Sequence, residues 1–199
     1  MFVALIVIGL NVCLLKLFKM QHEFLFMKRG FVYVYTGNGA GKTTAALGLA
    51  LRAVGHRKKV IIVQFMKGRK DIGEWKVRKR LEPYYEIHQF GRKEFVDLKN
   101  PDKKDVELAY KGLKFAEEAL KRKPFLLILD EINIAAAFGL VDKNDVLKLL
   151  KEVPPGTTVV LTGRYAPKEF IKVADFVNEV KDVKHPLRKG IPAIKGIQY

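Results

Sequence analysis

The sequence contains no serine and a single cysteine, Cys13. The first absence excludes every mechanism that uses a serine nucleophile. A lone cysteine excludes a disulfide within the chain and favours a reducing compartment, so we expect a cytoplasmic protein. Acidic residues are scarce as well, 21 against 37 Lys and Arg, which gives a formal net charge of +16. This charge suits an anionic partner, but it does not choose between nucleotide phosphate, nucleic acid and a membrane surface.

The 199 residues are enough for one sizeable core, and no linker-like stretch divides them. We assign residues 30–199 to a single domain and residues 1–29 to an apolar extension. Phe2 to Leu15 is almost entirely apolar. It is shorter than the ~20 residues of a membrane span, and no basic segment precedes it as in a signal peptide. Three interpretations stay open: an upstream start in place of Met20 or Met27, a helix that packs on the body or on a partner, and a membrane anchor, which fits worst.

Six β-prone segments alternate with helical patterns along the proposed domain. They are Phe31 to Tyr35, Lys59 to Phe65, Tyr84 to Gln89, Phe125 to Asp130, Thr157 to Thr162 and Phe176 to Val180. Val60 to Val63 and Leu126 to Leu129 are apolar without polar alternation, which is typical of strands buried on both faces. The clearest helix is predicted to begin with a cap at Asn100 and with Pro101 in its first position. These patterns predict an α/β fold with a mostly parallel sheet of about six strands and helices on both faces.

A glycine-rich segment joins the first strand to the helical pattern Ala45 to Val54. It reads Thr36-Gly37-Asn38-Gly39-Ala40-Gly41-Lys42-Thr43-Thr44. Glycines let successive backbone N–H groups turn toward an anion, and the N-terminus of the following helix adds partial positive charge. Lys42 supplies a charge for phosphate oxygens, and the Thr43 hydroxyl can reach a magnesium ion bound to them. The segment predicts a P-loop NTPase-like, recombinase-like fold, although Thr36 stands where the general pattern has a glycine.

Polar residues also follow other strands of the predicted sheet. Asp130-Glu131 ends an apolar strand, as in a Walker B motif whose carboxylate holds Mg²⁺ directly or through water. Gln64 to Gly68 and Thr162-Gly163-Arg164 follow two further strands. Because ligands of such sheets bind at the carboxyl ends of the strands, we expect all of these residues at one rim. Arg164 either neutralises phosphate there or is solvated surface.

Several further motifs occur in a fixed order along the chain. They are Arg52-Ala53-Val54-Gly55-His56, Val63-Gln64-Phe65-Met66-Lys67-Gly68, Gly73-Glu74, Leu129-Asp130-Glu131, Thr162-Gly163-Arg164, Ala174-Asp175, Val183-Lys184-His185 and Gly196-Ile197-Gln198-Tyr199. Together with the phosphate loop, they make the chain from about Gly30 to Tyr199 resemble the ATP:corrinoid adenosyltransferases, also called cob(I)alamin adenosyltransferases. An ordered set of this kind is much more specific than a phosphate loop alone.

This resemblance implies an enzyme that transfers the 5′-deoxyadenosyl group of ATP to the Co(I) of cobalamin or another corrinoid and releases inorganic triphosphate. Reduced cobalt is itself the nucleophile, so the protein needs no nucleophile or general base of its own. It must instead hold the C5′ carbon in line with cobalt and stabilise charge on the leaving triphosphate. A reductase that supplies Co(I) and a second copy of the chain, in a homodimer, are the implied protein partners.

The resemblance also implies roles for individual residues. ATP would be bound by Thr36, Gly37, Asn38, Gly39, Ala40, Gly41, Lys42, Thr43, Thr44, Arg52 and Arg164, with Lys42 and Arg52 offsetting the triphosphate charge. The catalytic residues would be Lys42, Thr43 and Glu131. The ligands of Mg²⁺, or of Mn²⁺ in its place, would be Thr43, Asp130 and Glu131.

One segment departs from the family pattern. Members of the family use aromatic residues after the third strand to displace the lower axial ligand of the corrinoid, which makes Co(II) easier to reduce. Here the segment carries Arg92 and Glu94 where such aromatics are expected. Phe90 and Phe95 are the candidates to face the corrinoid, and ordinary packing is the alternative for both.

Two other functions share the phosphate loop and the parallel sheet. One is a recombinase-like ATPase that binds nucleic acid, which the positive charge favours. The sequence has no recognisable nucleic-acid module and no interleaved aromatic and basic pattern, so we expect no nucleic-acid partner. The other is a small-molecule kinase, for which no convincing acceptor-site base is found. We also expect no membrane partner.

Overall fold

The computed structural model describes residues 29–199, and the predictions for residues 1–28 lie outside these residues. Strands and helices alternate along the described chain. The strands are β1 (Phe31–Thr36), β2 (Val60–Phe65), β3 (Tyr85–Phe90), β4 (Leu126–Asp130), β5 (Thr158–Thr162) and β6 (Phe176–Glu179). The α-helices are α1 (Lys42–Gly55), α2 (Gly73–Lys76), α3 (Lys103–Lys121), α4 (Ile132–Ala137), α5 (Lys143–Lys151) and α6 (Lys168–Val173). Two 3₁₀ helices span Val77–Arg80 and Pro186–Lys189.

The six strands form one sheet in the order β3-β2-β4-β5-β1-β6, and every neighbouring pair is parallel. The prediction of an α/β fold with a parallel sheet of about six strands is therefore confirmed. β5 lies between the strand that precedes the phosphate loop and the strand that ends in Asp130. The register pairs Gln64 with Asp130 and Tyr35 with Thr162, so the carboxyl ends of four strands meet at one rim.

Successive residues of a strand point to opposite sides, so each face of the sheet carries its own set of apolar side chains. Helices cover both faces. On one face, Val60 and Ile62 of β2 pack in a cluster with Ala46 and Ala50 of α1. On the other face, Ile61 and its neighbours on β2 pack in a larger cluster that includes residues of α3, α4, α5 and α6. The strands β2 and β4 are buried along their whole length, as their uninterrupted apolar sequences predict.

The start of α3 corrects one sequence-based prediction. The helix begins at Lys103, and its cap is Asp102, whose carboxylate accepts a hydrogen bond from the backbone N–H of Lys104 at 3.1 Å. The predicted cap at Asn100 with Pro101 in the first helical position is therefore wrong. The physical reason is that Asp102 also has the extended backbone of a cap residue and an oxygen in reach of an otherwise unpaired N–H group. Across residues 29–199, no helix combines the length and the apolar character that a membrane crossing requires.

Candidate active site

The phosphate loop connects β1 to α1 and packs tightly against the chain that follows β6. A Cβ atom at Gly37 would lie 2.5 Å from the carbonyl oxygen of Val180, and one at Gly39 would lie 2.8 Å from the backbone of Lys181. Gly39 also donates a backbone hydrogen bond to Val180 O at 2.7 Å. These two glycines therefore allow the segment after β6 to approach the loop closely. The sequence alone did not predict this contact. Gly41 differs from both, since it has φ +103° with no atom within 4 Å of its Cβ position, so its conformation alone favours glycine.

Thr36 occupies the position where a glycine was expected, and it is an ordinary end of a strand. It is paired with Glu179 of β6 and is buried. Its hydroxyl accepts a hydrogen bond from the backbone N–H of Ala166 at 3.2 Å. Thr36 thus ties the start of the phosphate loop to the segment after β5, which a glycine could not do.

Lys42 is folded back onto the loop that precedes it. Its Nζ donates to the carbonyl oxygens of Gly37 at 2.8 Å and Gly39 at 2.6 Å. The side chain is buried, and this burial lowers the pKa of the ammonium group, although the nearby Glu131 carboxylate opposes the effect. The ammonium therefore lies inside the loop, with carbonyl partners that phosphate oxygens can replace.

Asp130, at the end of β4, is the centre of the polar network at the rim. Its Oδ1 accepts hydrogen bonds from the hydroxyls of Thr43 at 2.8 Å and Thr162 at 2.7 Å. Its Oδ2 accepts from Lys67 Nζ at 2.6 Å and from Gln64 Nε2 at 3.0 Å. Burial on its own would raise the pKa of this carboxyl, but the charge of Lys67 and the hydrogen bonds outweigh it and lower the pKa. Asp130 is therefore ionised and has four donors.

Glu131 lies next to this network in an uncommon backbone conformation. Its φ is +67°, in the left-handed region that costs a residue with a side chain roughly 1–3 kcal/mol. Its backbone N–H donates to the hydroxyl of Thr162 at 3.0 Å. Burial and the neighbouring charge of Asp130 raise the pKa of the Glu131 carboxyl, and Lys67, Lys42 and Arg164 oppose them.

The structure separates the two arginines that were predicted to bind ATP. Arg164 is exposed at the rim, and its charge acts on both Lys42 and Glu131, which places it beside the loop. Arg52 lies ten residues beyond Lys42 on α1, a rise of about 15 Å along the helix axis. It lines a groove of about 420 Å³ with Tyr33 and other residues near the opposite end of the strands. Arg52 thus lies about three helical turns beyond Lys42, and its role in binding ATP stays a prediction.

Comparison with known proteins decides the family. The family model of the ATP:corrinoid adenosyltransferase BtuR/CobO/CobP matches residues 28–199. The chain belongs to this family. It is 38% identical over 174 residues to the corrinoid adenosyltransferase of Escherichia coli strain K12, with 86% of this chain and 87% of that protein covered. It is 36% identical over 176 residues to the corrinoid adenosyltransferase of a Sinorhizobium species, with 86% and 81% covered.

A solved structure supports the fold. The KaiC-like protein PH0186 from Pyrococcus horikoshii OT3 superposes with a TM-score of 0.50 at 18% sequence identity, over 76% of this chain and 72% of that chain. At this identity the likeness concerns the fold alone. As a member of the corrinoid adenosyltransferase family the chain is a transferase, and the two alternatives, a nucleic-acid-binding ATPase and a small-molecule kinase, are not favoured.

The two aromatic residues that are candidates to face the corrinoid, Phe90 at the end of β3 and Phe95 in the loop after it, differ in their surroundings. Phe90 is half-buried, with its ring centroid 5.5 Å from that of Phe115 on α3. Phe95 is 99% exposed. Arg92, at one of the positions where an aromatic was expected, donates to both carboxylate oxygens of Asp105 in the first turn of α3, with Nε 2.8 Å from Oδ1. This fork fixes the loop to the helix, so Arg92 has a structural partner that the sequence did not predict.

Proposed function

We propose that this corrinoid adenosyltransferase joins the C5′ carbon of ATP to the Co(I) of a corrinoid and that inorganic triphosphate leaves from the phosphate loop. The observation that carries the proposal is the family match over residues 28–199, which includes the loop, Asp130 and Glu131. The reaction breaks the bond between C5′ and the α-phosphate oxygen while cobalt supplies the electron pair. Negative charge then develops on the triphosphate, and the protein must stabilise it.

The residues of the loop are suited to this task. Backbone N–H groups between Gly37 and Thr44 and the N-terminus of α1 would hold the triphosphate. Lys42 would exchange its two carbonyl partners for phosphate oxygens, and Arg164 would add a second positive charge. Lys42, Thr43 and Glu131 are thus the proposed catalytic residues. Arg52 also stays a predicted ATP-binding residue, although it lies ten residues beyond Lys42 on α1.

The side chains beside the loop fit a hard divalent cation. Thr43, Asp130 and Glu131 offer only oxygen ligands, which Mg²⁺ prefers. Among residues 29–199, no group of three or more His, Cys, Asp or Glu side chains could hold a metal by itself. This suits an ion that arrives with the nucleotide and keeps phosphate oxygens and water as further ligands. We propose that these three residues hold Mg²⁺, with Mn²⁺ able to replace it, and that the ion would neutralise triphosphate charge.

The corrinoid is the second substrate. We propose that it binds at the same rim, near the segment after β3, where Phe95 is free to contact it and Phe90 forms part of the wall. A reductase that delivers the electron to cobalt, a homodimer and a cytoplasmic location complete the proposal. They follow from the family resemblance and from the single cysteine rather than from any contact described above.

One assay tests the reaction. The protein is incubated with Mg²⁺, ATP and chemically reduced cobalamin, and the phosphate product and the cobalt species are identified. We expect inorganic triphosphate together with a light-sensitive adenosylated corrinoid. ADP or orthophosphate with unchanged cobalamin would contradict the proposal and favour an ATPase or a kinase. Omitting the divalent ion in the same assay tests its requirement.

A further inference from the structure

Lys67 contacts both a hydroxyl and a carboxylate that are proposed to hold Mg²⁺. It follows β2 after Met66, whose φ of +55° turns the chain at the end of the strand. Its Nζ lies 2.6 Å from Asp130 Oδ2 and 3.4 Å from Thr43 Oγ1. An ammonium group therefore occupies the space next to the two oxygens that a divalent ion would bind.

The carboxylate of Asp130 has no free acceptor site for a further cation. A carboxylate offers about four lone-pair sites, and Asp130 uses four, two on each oxygen. Gln64 and Thr162 are fully buried neutral donors, whereas Lys67 carries a charge and its side chain is 28% exposed. Lys67 is thus the partner that a divalent ion can most readily replace, because an ammonium on a flexible stem can move and remain solvated.

The backbone around Lys67 is closely packed against the loop that follows β3. A Cβ atom at Gly91 would overlap Lys67 N and Met66 C, and one at Gly68 would lie 2.6 Å from Gly91 O. The loops after β2 and β3 therefore touch backbone to backbone on both sides of Lys67. The contact with Asp130 is built into the fold rather than being a chance position of a surface lysine.

We propose that Lys67 is a resident cation of the metal site, which neutralises Asp130 until a divalent ion arrives with the nucleotide and displaces it. Lys67 would thereby keep free Mg²⁺ from binding in the absence of ATP and make metal binding depend on the triphosphate. The inference rests on the proposed Mg²⁺ site. It predicts that removing the ammonium group opens the site to a divalent ion alone.

The test measures the binding of Mn²⁺ to the full-length protein without nucleotide, by equilibrium dialysis or by the loss of the free-ion EPR signal. Lys67→Met is expected to bind one Mn²⁺ about tenfold or more tightly than the wild type. The reason is that the buried carboxylate of Asp130 then has no positive charge beside it, which favours the binding of a cation. The control Lys79→Met removes an exposed lysine of the nearby 3₁₀ helix and is expected to match the wild type. In Lys67→Met combined with Asp130→Asn, the gain is expected to vanish.

Unchanged or weaker binding of Mn²⁺ by Lys67→Met would overturn the proposal. If this variant is recovered unfolded, it is refolded with and without millimolar Mn²⁺. Folding that requires Mn²⁺ supports the proposal, and failure to fold at every Mn²⁺ concentration contradicts it. A separate measurement, retention of Mn²⁺ by the wild type in the presence of ATP, tests the proposed metal site itself. An incorrect assignment of the metal site can therefore be distinguished from an incorrect role for Lys67.

Discussion

Gly91 lies so close to Lys67 that no side chain fits between them, since a Cβ atom on Gly91 would overlap the backbone nitrogen of Lys67. This contact joins the loops that follow β2 and β3. It places the lysine beside Asp130, and Arg92 anchors the same loop to Asp105 of α3. The geometry of the proposed metal site thus depends on a backbone contact between two loops that are distant in sequence.

The first prediction concerns this contact. Gly91→Ala is expected to destabilise the protein by about 1–3 kcal/mol, because the new methyl group must push apart two backbone segments. It is also expected to lower kcat/KM, since the loops after β2 and β3 form part of the rim at which the substrates are proposed to bind. Urea unfolding and steady-state kinetics measure the two effects.

The matched control for Gly91→Ala is Gly48→Ala. Gly48 is exposed on α1, and its Cβ position has no atom within 4 Å. Alanine is expected there to stabilise the helix by up to about 1 kcal/mol without changing kcat/KM. Equal stability of Gly91→Ala and the wild type would show that the loops can separate, and the geometric argument would fail.

The fold was predictable from the sequence because its strands are marked by composition. Val60 to Val63 and Leu126 to Leu129 are apolar without interruption, and only a sheet covered on both faces accommodates such strands. The phosphate loop and Asp130 were predictable for a similar reason, since each directly follows a strand and therefore lies at its carboxyl end.

Other parts of the site depend on packing between distant segments, which local sequence does not encode. The approach of Val180 to Gly37 is one example, because it depends on where β6 joins the sheet. At the start of α3, Asn100 and Asp102 are both suitable caps by residue type, and only the folded chain shows that the side chain of Asp102 accepts the hydrogen bond from a helix N–H group.

The second prediction concerns Lys42. Lys42→Met is expected to lower kcat by about 10²–10³-fold, because a positive group aimed at the leaving triphosphate stabilises charge that develops in the transition state. The rates of adenosylated corrinoid formation and of triphosphate release are measured together. Lys111→Met removes an exposed lysine of α3 and is expected to leave both rates unchanged. A decrease in ATP affinity with kcat intact would indicate that Lys42 binds ATP without assisting the reaction.

The third prediction is a dependence of stability on pH. The hydrogen bond from Arg122, supported by one from His88, lowers the pKa of Glu86 from 4.5 to about 2. A lowered pKa in the folded protein means that the stabilisation is complete above the ordinary pKa and is lost as the pH falls toward 2. The amount is expected to be below about 1 kcal/mol, because both partners are partly exposed to solvent.

Urea midpoints at about pH 6 and about pH 3 test this expectation. Glu86→Gln is expected to lose less stability on acidification than the wild type. Glu107→Gln, which changes an exposed carboxylate on α3, serves as the control and is expected to follow the wild type. An identical loss in Glu86→Gln and the wild type would mean that the ion pair with Arg122 contributes nothing in solution.

The last prediction separates Phe90, which ends β3, from Phe95 in the loop that follows. Phe95 is 99% exposed, so Phe95→Ala is expected to change the free energy of unfolding by less than about 0.5 kcal/mol. Phe90 packs on Phe115, and Phe90→Ala is expected to destabilise by about 2–4 kcal/mol. Stability alone thus distinguishes a ring that supports the fold from one that is free to contact a ligand.

Activity then tests whether Phe95 acts on the corrinoid. If it displaces the lower axial ligand, Phe95→Ala is expected to slow adenosylation that starts from Co(II) with a reductant and to leave the rate with pre-reduced Co(I) nearly unchanged. The reason is that displacement of the ligand eases reduction, whereas Co(I) has already been reduced. Equal slowing with both cobalt states would assign Phe95 to corrinoid binding in general. No slowing in either would leave the half-buried Phe90 and other residues of the rim to face the corrinoid.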